Sequence, residues 1–235
     1  MTRTDRLYHC LNSGPKKEFS LDIYLISGLG ADREIFKNLT FSKAANIHYL
    51  DWITPKAKES LKAYALRMAE AIDRSVPFAI IGLSFGGMLA TEMASVLHPQ
   101  LTVLVSSVPT KRELPWHFHF VGRTGMNNLI PVFKPKTVPR FVASFFGVET
   151  RDDYILFKQL LRRTDPQFSK WAIDTILKWD RTEALADLIR IHGSKDNVLP
   201  VGNGKVDYLI RGGGHFMIYN RADEISKILA ELGLH

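Results

Sequence analysis

Ser84 stands with a glycine two positions away on each side, in the run Gly82-Leu83-Ser84-Phe85-Gly86-Gly87. The run follows an apolar stretch, Phe78-Ala79-Ile80-Ile81, and opens an alternately apolar one from Met88 to Leu97. A serine so flanked, between a buried strand and a helix, fits a nucleophile elbow, a turn sharp enough to tolerate only small neighbours. Such a turn lifts the hydroxyl clear of the backbone. It also leaves the Phe85 N–H at a helix N-terminus, where it can meet an oxyanion. Serine is a poor nucleophile until a base takes its proton, and the base needs an orienting carboxylate.

Both partners must come from loops at the C-terminal ends of strands, on the edge that carries the elbow. After the apolar run ending at His192 comes Gly193-Ser194-Lys195-Asp196-Asn197-Val198-Leu199-Pro200, which sets Asp196 just past a strand end. After the last strand comes Arg211-Gly212-Gly213-Gly214-His215-Phe216, a loop without side-chain bulk that can deliver the His215 imidazole to one point. The order Ser84, Asp196, His215 is the nucleophile–acid–base order of one large fold class. Among the competitors, His192 lies in or at the end of a strand and reads as packing. His98 beside Pro99 reads as a helix C-cap, and His117 and His119 as packing residues. Asp180 and Asp187 are alternative acids, but neither follows a strand. A second oxyanion donor is expected from Ser27-Gly28-Leu29-Gly30-Ala31-Asp32, where the Leu29 N–H pairs naturally with that of Phe85. A dinucleotide turn would need a third glycine, and position 33 is arginine.

The elements that must position these residues alternate. Leu21–Ser27, Ile47–Trp52, 77–82, Leu101–Ser106, Leu188–His192 and Val206–Ile210 read as strands. Ala31–Leu39, Ser60–Asp73, 85–97 and Ala222–Leu232 read as helices, with Leu61, Ala65, Met68 and Ile72 on one face of the second. Near-continuous apolar strands in such an alternation imply a parallel sheet covered on both faces. The pattern breaks at Val108-Pro109. Residues 110–183 hold twelve of the 25 aromatic residues and five prolines, with helices expected near 138–146, 151–163 and 166–179. The expected organisation is therefore an irregular N-terminal extension over 1–20, with at most an edge strand near Leu7–Cys10. A core over 21–109 and 184–235 follows, with a helical cap over 110–183. Met88, Trp116 and Phe216, next to the motifs, are the candidates for lining a substrate pocket.

Composition bounds the function. Of the net charge of +7, +6 lies between Lys111 and Arg181, scattered over residues such as Arg123, Lys134, Lys136, Arg140 and Lys158. That scatter reads as a solvated face, or as a field drawing anions to a cleft, rather than as a nucleic-acid surface. No apolar run is long enough to span a membrane, and the first residues lack the apolar stretch of a secretory signal. The single Cys10 forms no internal disulfide, so a cytoplasmic location is expected. No Cys/His spacing suits a metal and no phosphate loop is present, so no cofactor is expected.

In these motifs the chain resembles the α/β-hydrolase family. Ser27-Gly28-Leu29-Gly30, Gly82 to Gly87, His192 to Asp196 and Gly213-Gly214-His215-Phe216 carry the resemblance, over about residues 21–235. It implies a mostly parallel sheet flanked by helices, with the cap where the family inserts one. The two N-terminal antiparallel strands common in the family are missing or reduced, which leaves about six strands. Serine also stands at position 27, where the family usually has a histidine. The implied activity is hydrolysis of small to medium carboxylic esters, with Ser84, His215 and Asp196 as triad and a small ester or acyl compound as substrate. A thioesterase, a C–C bond hydrolase or lyase on an anionic substrate, and a receptor without turnover remain alternatives. A dehalogenase is disfavoured, because that chemistry uses a carboxylate at the elbow.

Overall fold

The structure is a computed structural model that describes residues 21–124, 138–202 and 204–234, with no side chains described at 122–124. The expected extension and edge strand over 1–20, and Lys134 and Lys136, lie outside these residues. Six strands form one parallel sheet: β1 (Asp22–Ile26), β2 (Asn46–Tyr49), β3 (Phe78–Leu83), β4 (Leu101–Val105), β5 (Leu188–Gly193) and β6 (Tyr208–Ile210). Their order is β2-β1-β3-β4-β5-β6. The four inner strands are buried along their whole length, whereas edge strands β2 and β6 are half open. The pleat sorts their side chains by a period of two. Ile23, Leu25, Ala79, Ile81, Val103 and Val105 pack into one core. Tyr24, Ile26, Phe78, Ile80 and Leu104 pack into the other, on the opposite face.

Helices α1 (Leu61–Met68), α2 (Phe85–Leu97), α7 (Met217–Asn220) and α8 (Ala222–Glu231) accompany the sheet. Between β4 and β5 the chain runs through α3 (Trp116–Thr124), α4 (Arg140–Phe145), α5 (Arg151–Arg163) and α6 (Pro166–Lys178). Among the described residues no helix is long and apolar enough to cross a membrane.

Several elements differ from their sequence reading. The helix expected over 31–39 is a single 3-10 turn, Arg33–Phe36, started by the Asp32 side chain accepting from the Glu34 N–H. The helix expected to reach Asp73 tightens into a 3-10 turn at Ala69–Ala71, after which Ile72 is extended yet still buried. There the Asp73 N–H donates to the Tyr24 hydroxyl, which turns the chain towards β3. Helix α3 had no expected counterpart, because its Trp-His-Phe-His-Phe run follows no helical period and has only Pro115 to start it.

The insertion closes at its base. The Lys111 N–H donates to the Arg181 carbonyl at 2.9 Å, bringing entry and exit together. Glu92 of α2, 2% exposed, accepts from the Arg181 guanidinium at 2.7 and 2.9 Å and from Trp179 Nε1 at 2.8 Å. Burial alone would push the Glu92 pKa up. The bonds from Arg181 and Trp179 outweigh it and hold the carboxyl below its ordinary value. Removing one side of a buried ion pair strands the other. Glu92→Gln is therefore expected to cost about 3 kcal/mol of unfolding free energy, read as a lower urea midpoint at unchanged slope.

Candidate active site

The sheet order reverses between β1 and β3, since the chain goes outward from β1 to β2 and then returns to β1's other side. In parallel sheets such a reversal opens a crevice at the carboxyl ends of the strands. Two of the sequence motifs meet there. Residues Ser27–Ala31 leave β1, and Ser84 leaves β3. Ser84 has φ 51° and ψ −117°, a backbone that an L-residue adopts only under constraint. The constraint is visible in its bonds. Its N–H donates to the Val105 carbonyl at 2.9 Å, and its carbonyl accepts from Ser107 Oγ at 2.6 Å.

The flanking glycines are required by backbone contact. A Cβ on Gly82 would lie 2.5 Å from the Gly86 carbonyl oxygen, and one on Gly86 would collide with the Ser27 and Ile26 carbonyls. The loop after β1 comes as close: a Cβ on Gly28 would lie 3.2 Å from Ser84 Cβ. The Ser27 hydroxyl donates to the Ala31 carbonyl at 3.0 Å and so closes this loop. Leu29 and Phe85 both line the space above Ser84. The Phe85 N–H, first in α2, has no acceptor within its own helix.

His215 Nε2 lies 2.9 Å from Ser84 Oγ, and Nδ1 lies 2.8 Å from Asp196 Oδ2. The carboxylate can only accept, so Nδ1 carries the hydrogen and Nε2 is free to accept from the serine hydroxyl. Asp196 is 4% exposed, and its Oδ1 accepts from the N–H groups of Val198 and Leu199 at 3.0 and 2.9 Å. Burial pushes the Asp196 pKa up, but hydrogen bonds from His192 and His215 and those backbone N–H groups outweigh it. The carboxyl is held far below the usual range. The acid and histidine loops are stitched together: the Lys195 N–H donates to the Gly213 carbonyl at 2.8 Å, and the Ser194 N–H to Ile210 at 3.0 Å. The insertion grips the histidine loop as well. The Phe216 N–H donates to the Phe146 carbonyl at 2.8 Å, and the Phe146 ring stands 5.9 Å from that of His215.

The competing side chains fall elsewhere. His192 is buried and puts Nε2 2.7 Å from the Leu199 carbonyl and 3.4 Å from Asp196. It therefore braces the acid loop. His98 does end α2, with a left-handed φ of 50°. His117 and His119 are exposed, with the His117 ring against those of Trp116 and Phe118 at 6.0 and 4.9 Å, and Asp180 and Asp187 are exposed as well. Among the described residues no group of three or more His, Cys, Asp or Glu side chains could hold a metal ion.

Above Ser84 is a cavity of about 460 Å³. Met88 and Phe216 line it as expected from their positions beside the motifs. Trp116 does not: it is 77% exposed and belongs to no part of this wall, because α3 turns that face outward. The insertion contributes Phe118, Phe146, Phe157, Leu161 and Ile173 instead, none of which the sequence singled out. Their aromatic and aliphatic character was visible in composition, but which of them face the cavity depends on how the helices dock. Apart from His215, no described lining residue is ionisable, so none of the described basic residues of the insertion lines the cavity.

A hydroxyl bonded to an imidazole, itself bonded to a buried carboxylate, can give up its proton as it attacks an electrophile. The fold is shared with solved structures of low identity. These include MenH from S. aureus (TM-score 0.66, 14% identity, covering 91% of this chain and 93% of that one). A thermophilic esterase from Thermogutta terrifontis superposes with a TM-score of 0.59 at 13% identity, over 90% and 89% of the two chains. An esterase from Exiguobacterium antarcticum does so with 0.57 at 14%, over 90% and 91%. No curated protein sequence matches the chain significantly. The sequence model of the alpha/beta hydrolase family matches residues 23–228, nearly the whole described sheet and insertion. With that match, the parallel sheet and the reversal that carries Ser84, the chain belongs to the alpha/beta hydrolase family.

Proposed function

We propose that the protein is a serine-dependent hydrolase of carboxylic esters that works through an acyl-enzyme. The observation that carries this reading is the unbroken chain from Ser84 Oγ to His215 to Asp196, with distances of 2.9 and 2.8 Å, beneath an apolar cavity. Ser84 attacks the ester carbonyl while His215 takes its proton, and Asp196 stabilises the imidazolium. The N–H groups of Leu29 and Phe85 receive the oxyanion. His215 then protonates the departing alcohol, and the same imidazole activates the water that releases the acid. Helices α3–α6 act as the lid over this site. With no ionisable group but His215 on its described wall, the cavity suits an apolar acyl chain. That argues against an anionic acyl group, such as a C–C bond hydrolase of acidic substrates would need.

Three outcomes test the reading. A fluorophosphonate probe is expected to label the wild type and not Ser84→Ala, and a series of p-nitrophenyl esters of increasing chain length is expected to be turned over by the wild type alone. Labelling without turnover would favour a receptor. Asp196→Asn leaves the site's shape intact but loses the carboxylate that fixes the imidazole's tautomer, and kcat is expected to fall by about 10⁴-fold. The same variant tests the depressed pKa of Asp196. Unfolded chains take up this proton near pH 4 while the folded protein resists it, so the carboxylate's contribution is present above about pH 4 and lost as pH falls below it. The wild type is expected to lose Tm more steeply than Asp196→Asn on acidification through that window, as followed by circular dichroism.

A further inference from the structure

Beside the cavity over Ser84 lies a second one of about 530 Å³, and the two share Ala31, Leu160 and Thr164. Their chemistry differs. Trp52, Phe168 and Trp171 give the second cavity an aromatic floor, with ring centroids 5.0 Å apart for Trp52–Phe168 and 5.6 Å for Phe168–Trp171. Both indole N–H groups are already used, by the Ala31 carbonyl at 2.9 Å and the Glu59 carbonyl at 3.2 Å. The rings therefore offer apolar faces and edges only.

The rim carries Lys56, Lys58 and Arg163 together with the carboxylates of Asp32 and Asp165. Arg163 is balanced where it stands, which leaves the two lysines as the unbridged cations of the rim. Asp32 and Glu34 bind Arg163 at 3.2 and 2.6 Å, and Asp165 caps α6 through the Gln167 N–H at 2.7 Å. Glu59 is held by the Arg67 guanidinium at 2.8 and 2.9 Å. Lys56 and Lys58 are exposed, and among the described residues neither has a carboxylate within salt-bridge distance. Their loop is preset rather than slack. Glu59 Oε2 accepts the Lys56 N–H at 2.8 Å, and Lys58 holds a left-handed φ of 59°, uncommon for a residue with a side chain. Two ammonium groups without a described salt bridge, lining the same cavity as these aromatic rings, suit an organic carboxylate with a flat or apolar body.

We propose that this second cavity binds the leaving-group half of the substrate, so that the ester joins an apolar acyl chain to an alcohol or phenol bearing a carboxylate. The assignment to a leaving group rests on the hydrolase reading. In that step the bond from Ser84 Oγ to the acyl carbon forms and the acyl carbon–alkoxy oxygen bond breaks. The proton taken by His215 passes to the departing oxygen, and the carboxylate-bearing alcohol is left against Lys56 and Lys58.

The test compares 4-butyryloxybenzoate with 4-butyryloxybenzamide, which share an acyl group and differ in the charge of the departing phenol. The ratio of their kcat/KM values, carboxylate over amide, is expected to fall about tenfold in Lys56→Gln/Lys58→Gln. In the wild type it is expected to fall in about 0.5 M KCl, and in Lys227→Gln, an exposed lysine on α8, to stay as it was. A ratio that the double substitution leaves alone overturns the proposal. If neither ester is turned over through Ser84, the hydrolase reading fails separately, and the cavity is read without turnover. Tryptophan fluorescence of Ser84→Ala is then titrated with 4-hydroxybenzoate and 4-hydroxybenzamide. Tighter binding of the carboxylate, lost in the double lysine variant, supports the site, and equal binding of the two overturns it.

Discussion

The contact on which the site depends has no side chain in it. Gly86 of α2 rests against the carbonyls at the end of β1, and Gly82 against Gly86, at separations that leave no room for a methyl group. This approach lets the first turn of α2 begin directly at the end of β3, and so forces Ser84 into its strained backbone. Strain of that kind costs on the order of 1–3 kcal/mol and persists only where the surroundings fix it. Here the bonds to Val105 and Ser107 fix it from the β4 side, and the buried strands on both sides leave the turn nowhere to relax. Any residue larger than glycine at 86 would push the helix off the sheet, moving the Phe85 N–H and the serine hydroxyl together.

Buried carboxylates do the corresponding work for the insertion. Glu92 ties its base to α2. Asp153, at the start of α5, accepts from Asn220 at 3.1 Å, just beyond the histidine loop. Burial would raise the Asp153 pKa, but Asn220 and the Thr150 and Glu149 N–H groups outweigh it and hold the group ionised. Asn220 also binds the Gly147 carbonyl at 2.9 Å, where Gly147 and Gly214 meet backbone to backbone. The loop carrying His215 is thus gripped by the sheet on one side and by the insertion on the other. A shift of α5 would be felt at the imidazole, which gives the helices over the cavity a route to His215 as well as a share of its wall.

The parts of the structure legible in the sequence were those fixed by backbone geometry. Glycines at 82 and 86 report a close approach that few other contexts need, and apolar runs of strand length report inner strands. The positions of Asp196 and His215 then follow from their being next to strand ends. What could not be read was decided by docking. Trp116 and Phe118 are two residues apart on one helix, yet Phe118 lines the cavity and Trp116 faces solvent. The helix expected through Asp73 ends early because a tyrosine from β1 captures its last turn, a partner 49 residues away. Likewise, the unusual Ser27 announced only that a histidine was missing. Its bond to Ala31 depends on the fold of the loop.

The placement of charge joins these features. The chain carries an excess of seven positive charges, yet the described wall of the cavity over Ser84 carries none apart from what His215 can acquire. On the hydrolase reading proposed above, the backbone N–H groups of Leu29 and Phe85 would meet developing charge there, held by the loop after β1 and by the elbow. Lys56 and Lys58 line the neighbouring cavity, which shares Ala31, Leu160 and Thr164 with the one over Ser84. There, on the same reading, they would bias which molecules enter and how they lie without standing beside Ser84. A basic protein can in this way keep the described wall over its candidate nucleophile free of lysine and arginine, with cations on a neighbouring loop that Glu59 and Arg67 brace.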